Sequence, residues 1–181
     1  MEKEAMPQGV SRWYVVQVRT GSEESIQTQC IKNIQEAVLE RCFIPRYEEK
    51  RRVQGRWLLQ RKILFPGYVF MVTPNGALLH EQLKTIIGLT KILGTGDTMV
   101  ALKNEEVAFL EHFGGRGQVV AMSEGIIAGT QVIITDGPLK GYEGYIKKID
   151  RHKRKAWLEL PMFGRLQRVQ VGVEIVRKVE G

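Results

Sequence analysis

Cysteine and histidine are scarce in this chain of 181 residues: Cys30 and Cys42 are the only thiols, and His80, His112 and His152 the only imidazoles. Two thiols make no disulfide framework, and neither stands at metal-ligand spacing from a histidine. A reducing compartment, the cytoplasm, is the expected setting, with no metal and no cofactor. Nucleophilic catalysis lacks its residues as well. No Ser-His-Asp or Cys-His grouping has supporting context, and no carboxylate pair has a metal-like arrangement. Phosphate-binding G-x-x-x-x-G-K-[ST] and G-x-G-x-x-G loops are missing. Gly114-Gly115-Arg116-Gly117 is glycine-rich, but no strand precedes it. An enzyme is therefore not expected. No apolar run approaches a membrane span. The opening MEKEAMPQGVSRW is polar, without the apolar stretch of a signal peptide. A membrane partner is not expected, and a monomer is.

What is present is a core and a charge imbalance. Hydrophobic residues make up 43% of the chain, enough for one large domain or two small ones. The net charge is +7 and unevenly spread. Residues 1–113 are nearly balanced, whereas residues 125–181 carry 11 Lys/Arg against 6 Asp/Glu. Such a bias suits either a polyanionic partner or a solvated basic surface.

Residues 61–72, RKILFPGYVFMV, stand out. Aromatics flank a Pro66–Gly67 break, and an apolar strand follows. Side chains of a strand alternate between two faces, so Tyr68, Phe70 and Val72 point one way and Val69 and Met71 the other. Both faces are apolar, and both need covering. Phe65 and Tyr68 are expected to be more exposed than Val69 and Met71.

In chain order, Trp13-Tyr14-Val15-Val16-Gln17-Val18 reads as a first strand. Ser22 is a candidate N-cap with Glu23 and Glu24 in the first turn. Ile26, Cys30, Ile34 and Val38 recur every fourth residue and predict a helix to about Arg41. A short strand ends at Pro45. Residues 46–62 form a basic arm of seven Lys/Arg, read as a hairpin turning at Gly55. Thr73-Pro74-Asn75-Gly76 is a turn, and Leu79, Leu83, Ile86 and Ile87 follow at helical spacing. A strand is read at Leu89–Gly94, a turn at Thr95–Asp97 and a short strand at Met99–Leu102. A last helix starts at Asn104, with Val107 and Leu110 on one face.

Residues 114–124 read as a linker. Beyond them, short apolar strands recur with turn signals: Val132–Thr135, Tyr145–Ile149, Ala156–Leu160, Leu166–Val171 and Glu174–Arg177. That is the pattern of a small β-barrel. The expected fold is α+β: residues 1–11 disordered, an α/β sandwich at 12–113, a linker at 114–124 and a barrel at 125–181.

Residues 128–144, AGTQVIITDGPLKGYEG, place Gly137, Lys140, Gly141, Tyr142 and Gly144 around a turn. This resembles the KOW motif. The order of Trp-Tyr-Val-Val, Phe-Pro-Gly-Tyr-Val and KOW, then Phe163-Gly164-Arg165, resembles the NusG family of transcription elongation and antitermination factors over residues 12–180. The resemblance implies an NGN-like sandwich followed by an SH3-like KOW barrel. It also implies docking on the clamp helices of the largest subunit of bacterial RNA polymerase. The matching residues are Trp13, Phe65, Pro66, Gly67, Tyr68 and Phe70. In the general factor of the family the KOW loop, with Tyr142 at its aromatic position, contacts Rho or a ribosomal protein.

One stretch departs from that pattern. Residues 147–155 hold six Lys/Arg and one Asp: Lys147, Lys148, Arg151, Lys153, Arg154 and Lys155, with His152 among them. Arg165 and Arg168 are expected near them. A tip this basic offers phosphate donors, and the chain resembles LoaP-type antiterminators, whose KOW domain binds an RNA hairpin in the nascent transcript. The arm is expected near upstream DNA.

Overall fold

The computed structural model describes residues 9–92 and 101–180. In chain order the elements are β1 (Arg12–Val18), α1 (Glu23–Asn33), β2 (Arg41–Phe43), β3 (Arg46–Val53), β4 (Arg56–Ile63), β5 (Tyr68–Thr73), α2 (Gly76–Leu83), β6 (Leu89–Ile92) and α3 (Asn104–Gly114). Then come β7 (Val119–Val120), β8 (Ser123–Ala128), β9 (Gln131–Asp136), β10 (Ile146–Asp150), β11 (Lys155–Met162) and β12 (Arg165–Val179). They form two compact units: one runs to Ile44 and resumes over Pro66–Asn104, the other holds Pro45–Phe65 and everything from Glu105. The arm thus groups with the C-terminal residues. The expected disordered N-terminus lies largely outside the described residues, as do the turn at Thr95–Asp97 and the first two residues of the strand read at 99–102, whose other two, Ala101 and Leu102, are not in a strand.

The first unit is built on an antiparallel sheet in the order β2-β5-β1-β6. All six residues of β5 are buried, which answers the apolar character of both its faces. On one face Phe43 stands opposite Phe70 and stacks on it at 5.5 Å, and Trp13 meets Phe43 edge-on at 5.1 Å. Helix α1 packs on β2 and β5 and buries Ile26 and Cys30, while α2 buries Leu79 and Leu83.

The predicted helix to Arg41 is shorter than expected. Helix α1 stops at Asn33, and Ile34 is already extended, with φ −102° and ψ 136°. Ile34 and Val38 are nonetheless buried, held by a turn in which the Val38 and Leu39 amides donate to the Gln35 carbonyl. The chain must turn here because Glu40 donates to the Val72 carbonyl and leads into β2. Ser22 makes no capping bond. Glu23 does more: its buried carboxylate accepts from the Gly21 amide at 2.9 Å and from the Gly67 amide at 2.8 Å. Gly67 sits at φ +85°, where a side chain is strained, and its carbonyl accepts from the Val18 amide at 2.8 Å. The glycine of the Phe-Pro-Gly-Tyr break is thereby locked to β1 and to α1.

In the second unit β3 and β4 make the arm, joined by Gln54 at φ 49° and Gly55 at φ 78°, a two-residue turn suited to a hairpin. Strand β7 pairs parallel to β3. The other sheet runs β10-β11-β12-β8-β9, with no ladder between β9 and β10 among the described residues. Of the stretch expected as a linker, Gly114 ends α3, Val119–Val120 forms β7 and Ser123 opens β8. The last two strands read from sequence are one, β12, antiparallel to β11 and parallel to β8. Gly172 in its middle is no turn. A Cβ there would collide with the Glu48 carbonyl and the Met122 sulfur, so the glycine lets β12 pass close to β3.

Replacing Glu23 by alanine leaves two amides without their charged acceptor. It is expected to lower unfolding stability by about 3 kcal/mol, read by urea denaturation. Lys32→Ala, at an exposed position of the same helix, is the control and stays within about 0.5 kcal/mol.

Candidate nucleic-acid interface and docking strand

Of the residues expected to dock, Pro66 is exposed and Trp13, Phe65, Gly67, Tyr68 and Phe70 are buried. Phe65 is 1% and Tyr68 6% exposed, while Val69 and Met71 are fully buried. The expected order, Phe65 and Tyr68 more exposed than Val69 and Met71, is kept only by these few per cent, and all four side chains are buried. Phe65 lies edge-on to Phe163, ring centroids 5.4 Å apart. Phe70 is buried and Trp13 nearly so. The accessible rim of this aromatic cluster belongs to two residues that sequence reading did not single out: half-buried Phe43 and exposed Arg41. The Arg41 guanidinium lies 4.7 Å from the Phe43 ring centre and 5.7 Å from that of Trp13.

The basic stretch forms the β10–β11 hairpin. Asp150 accepts from the Lys153 amide at 2.9 Å, and that bond holds the Asp150 carboxyl below its ordinary range. Arg154 adopts a left-handed conformation, φ 54°. The tip faces the arm across a groove of about 620 Å³. Eight lysines and arginines line it against one carboxylate, Glu49: Lys50, Arg51, Arg52 and Lys62 from the arm, and Arg151, Lys153, Arg154 and Lys155 from the hairpin. Trp57, Gln60 and His152 complete the lining.

Two carboxylates let these cations come together. Glu49, 1% exposed, accepts a hydrogen bond from Gln60 at 2.6 Å and is ion-paired with Lys62 at 3.0 Å and Lys155 at 2.8 Å. Glu174 of β12 pairs with Lys50 at 2.7 Å and Arg154 at 3.0 Å. Burial by itself would raise Glu49; hydrogen bonds from Lys155, Lys62 and Gln60 outweigh it and hold the group below its usual 4.5. Glu174 is likewise lowered, by Lys50 first. Tyr47 beside Glu49 is raised, by burial and then by the Glu49 charge. Among the described residues Arg51, Arg52, Arg151 and Lys153 have no ion-pair partner, and all four are exposed.

Not every predicted basic residue reaches this groove. Lys147 and Lys148 lie on β10, with the Lys148 ammonium 5.3 Å from the Trp157 ring centre. Arg165 and Arg168 are not near the tip, contrary to expectation. Lys155 pairs with Gly172, whereas Arg168 pairs with Glu159 and Arg165 with Met162. At about 3.3 Å per residue they sit roughly 13 and 23 Å along the strand. Arg168 has its own partner there, Glu159 at 3.4 Å.

The glycine-rich loop behaves as a close approach. Gly137, φ 100°, has no room for a Cβ, which would meet the Ser123 Cα at 2.6 Å. Ser123 Oγ accepts from the Leu139 amide at 3.0 Å. Lys140 and Gly141 are exposed, and Gly141 is at φ 85°. Tyr142 is half-buried, with Phe109 at 5.3 Å, His112 at 5.3 Å and Tyr145 at 6.0 Å between ring centres.

The family model described as "Transcription termination factor nusG" matches residues 11–111, more than half of the chain. The chain belongs to the NusG family. NusG of Rickettsia felis, a transcription termination/antitermination protein, is 25% identical over 174 residues, covering 93% of this chain and 91% of that protein. NusG of Staphylococcus aureus strain Mu50 is 27% identical over 179 residues, covering 94% and 97%. A solved structure described as domain interaction in Thermotoga maritima NusG superimposes with a TM-score of 0.58 at 22% identity, over 90% of this chain and 93% of that one. That likeness supports the α+β fold. The chain is thus a NusG-type transcription termination/antitermination factor. No helix among the described residues is long and apolar enough to cross a membrane.

Within this NusG-type frame, sequence reading found the cations but missed the carboxylates that gather them. Glu174 and Lys50 are 124 positions apart. Trp57 was also missed. An indole inside an otherwise basic, exposed arm was the available signal.

Glu49 and Glu174 both have folded values below the ordinary 4.5, so the stability they confer is present above that pH and lost as pH falls through the lower folded values. The urea midpoint is expected to drop between about pH 5 and pH 3. Glu49→Gln should flatten that dependence; an unchanged slope would show that Glu49 carries none of it.

Proposed function

We propose that this NusG-type factor binds bacterial RNA polymerase through residues 12–113, suppresses pausing and promotes processive antitermination, while its basic C-terminal part, residues 125–181, binds RNA, an operon-specific leader hairpin in the manner of LoaP-type antiterminators. The observation that carries the RNA half is the hairpin wall of the cationic groove, where Arg151, Lys153, Arg154 and Lys155 stand together. Fields of that sign concentrate a phosphate backbone. Packing of Tyr142 on Phe109 and His112 favours RNA over a protein partner such as Rho or a ribosomal protein on the KOW-type loop.

Polymerase docking is supported by the aromatic cluster Trp13, Phe43 and Phe70 with its Arg41 cover. Aromatic and arginine groups of this kind supply most of the energy of protein interfaces. Joining two binding modules on one chain raises the effective concentration of the second once the first is engaged. RNA capture would therefore retain the factor on one polymerase.

Transcription with purified bacterial polymerase through a pause and a terminator tests the reading. Addition of the protein should increase read-through, more strongly when the template encodes the leader hairpin. Phe43→Ala should weaken polymerase binding at least about tenfold with the fold retained. Equal read-through with and without the protein would contradict the elongation role. Read-through indifferent to any leader RNA would favour the general factor.

A further inference from the structure

The arm is the part of the cationic groove to which neither the family likeness nor the C-terminal RNA reading gives a role. The end of its strand β3 carries Arg51 and Arg52, exposed and without ion-pair partners among the described residues. Opposite them, on the hairpin tip, Arg151 and Lys153 are in the same condition. Glu49 and Glu174 neutralise the cations between these two pairs and fasten arm to hairpin. What remains is a frame with unneutralised cations on both rims. On the arm side stands Trp57, 36% exposed, with the Arg154 guanidinium 4.0 Å from its ring centre.

We propose that the arm turn and the β10–β11 turn are the two walls of one site for an unpaired stretch of RNA, in which Arg51 and Arg52 face Arg151 and Lys153 across the phosphate backbone and Trp57 stacks on a splayed base. The proposal rests on the RNA reading above and extends it to residues outside 125–181. Charge selects a polyanion, and the volume of about 620 Å³ lies within the range of ligand-sized clefts. The indole selects an unpaired strand over a duplex, because a duplex keeps its bases stacked on one another, whereas loops offer them to aromatic side chains. Arg154 already covers part of the indole, so a base on Trp57 completes a stack of guanidinium, ring and base. The arm cations thereby join the RNA site and are not a separate contact to duplex DNA.

Fluorescence anisotropy with the full chain tests this. The probes are a fluorescein-labelled RNA stem-loop with a uridine-rich loop, the blunt RNA duplex of its stem, and a DNA stem-loop of the same sequence. The double variant Arg51→Ala/Arg52→Ala should bind the RNA stem-loop about tenfold more weakly. It should also lower the slope of log affinity against log salt by about 1.5, as two phosphate contacts require. Trp57→Ala should lose about tenfold on the stem-loop with the salt slope unchanged, and nothing on the duplex. Lys153→Ala reports on the hairpin wall. Melting temperatures within a degree or two of wild type are expected for the arginine variants, whose side chains hold no ion-pair partner among the described residues. If Lys153→Ala weakens binding and the arm variants do not, the RNA reading stands and the shared site is refuted. If the wild-type chain binds none of the RNAs, both fall. Equal or tighter binding of the DNA stem-loop would overturn the assignment to RNA.

Discussion

The most consequential interaction in the molecule is a carboxylate with almost no access to water. Glu49 lies at 1% exposure between Lys62 of its own hairpin and Lys155 of another, with Gln60 completing its shell. Removing a carboxylate from water is costly unless its charge is answered and its lone pairs are filled. Here two ammonium groups answer the charge, the Gln60 amide supplies a hydrogen bond, and the carboxyl is held below its ordinary range. Removing either lysine would leave a buried charge with half its compensation. That asymmetry, more than any net gain from the pairs, fixes the arm against the β10–β11 hairpin. Glu174 repeats the device with Lys50 and Arg154 at greater exposure.

Electrostatics then follow from geometry. Eight cations around one groove would repel one another if left alone. Two carboxylates absorb the inner four, and the outer ones remain available to a partner. Gly172 contributes from the backbone side, since only a residue without a side chain lets β12 run beside Glu48. In the other unit a second buried carboxylate, Glu23, works on amides in place of cations and sets the Pro66–Gly67 break against β1 and α1. Buried acids thus position both stretches that the function reading relies on.

Much of the fold was legible because it depends on local pattern. Runs of β-branched and aromatic residues marked β1 and β5, the Gln54–Gly55 turn marked the arm, and the spaced apolar runs marked β9, β10 and β11. Three features were not legible, each for a non-local reason. Ile34 and Val38 continue the spacing of a helix that has ended, because burial, not helicity, is what the spacing records. Gly172 reads as a turn until β3 is known to pass beside it. Strand β8 lies in a stretch without strong alternation and exists through pairing with β9 and β12. The site divided the same way. Its cations could be counted in the sequence, but Glu174 joins them only through folding, and the register of β11 and β12 carries Arg165 and Arg168 away from the tip. Phe65 and Tyr68 were recognised as special, yet no sequence pattern says which aromatic of a motif is covered.

The central claim is that the arm and the β10–β11 hairpin act as one nucleic-acid surface. Hydrogen exchange by mass spectrometry on the full chain, with and without an RNA stem-loop, tests it directly. The account predicts that amides of residues 50–57 and 150–155 slow together on adding RNA, with the same concentration dependence. Protection confined to residues 150–155, or protection of neither segment, would contradict it.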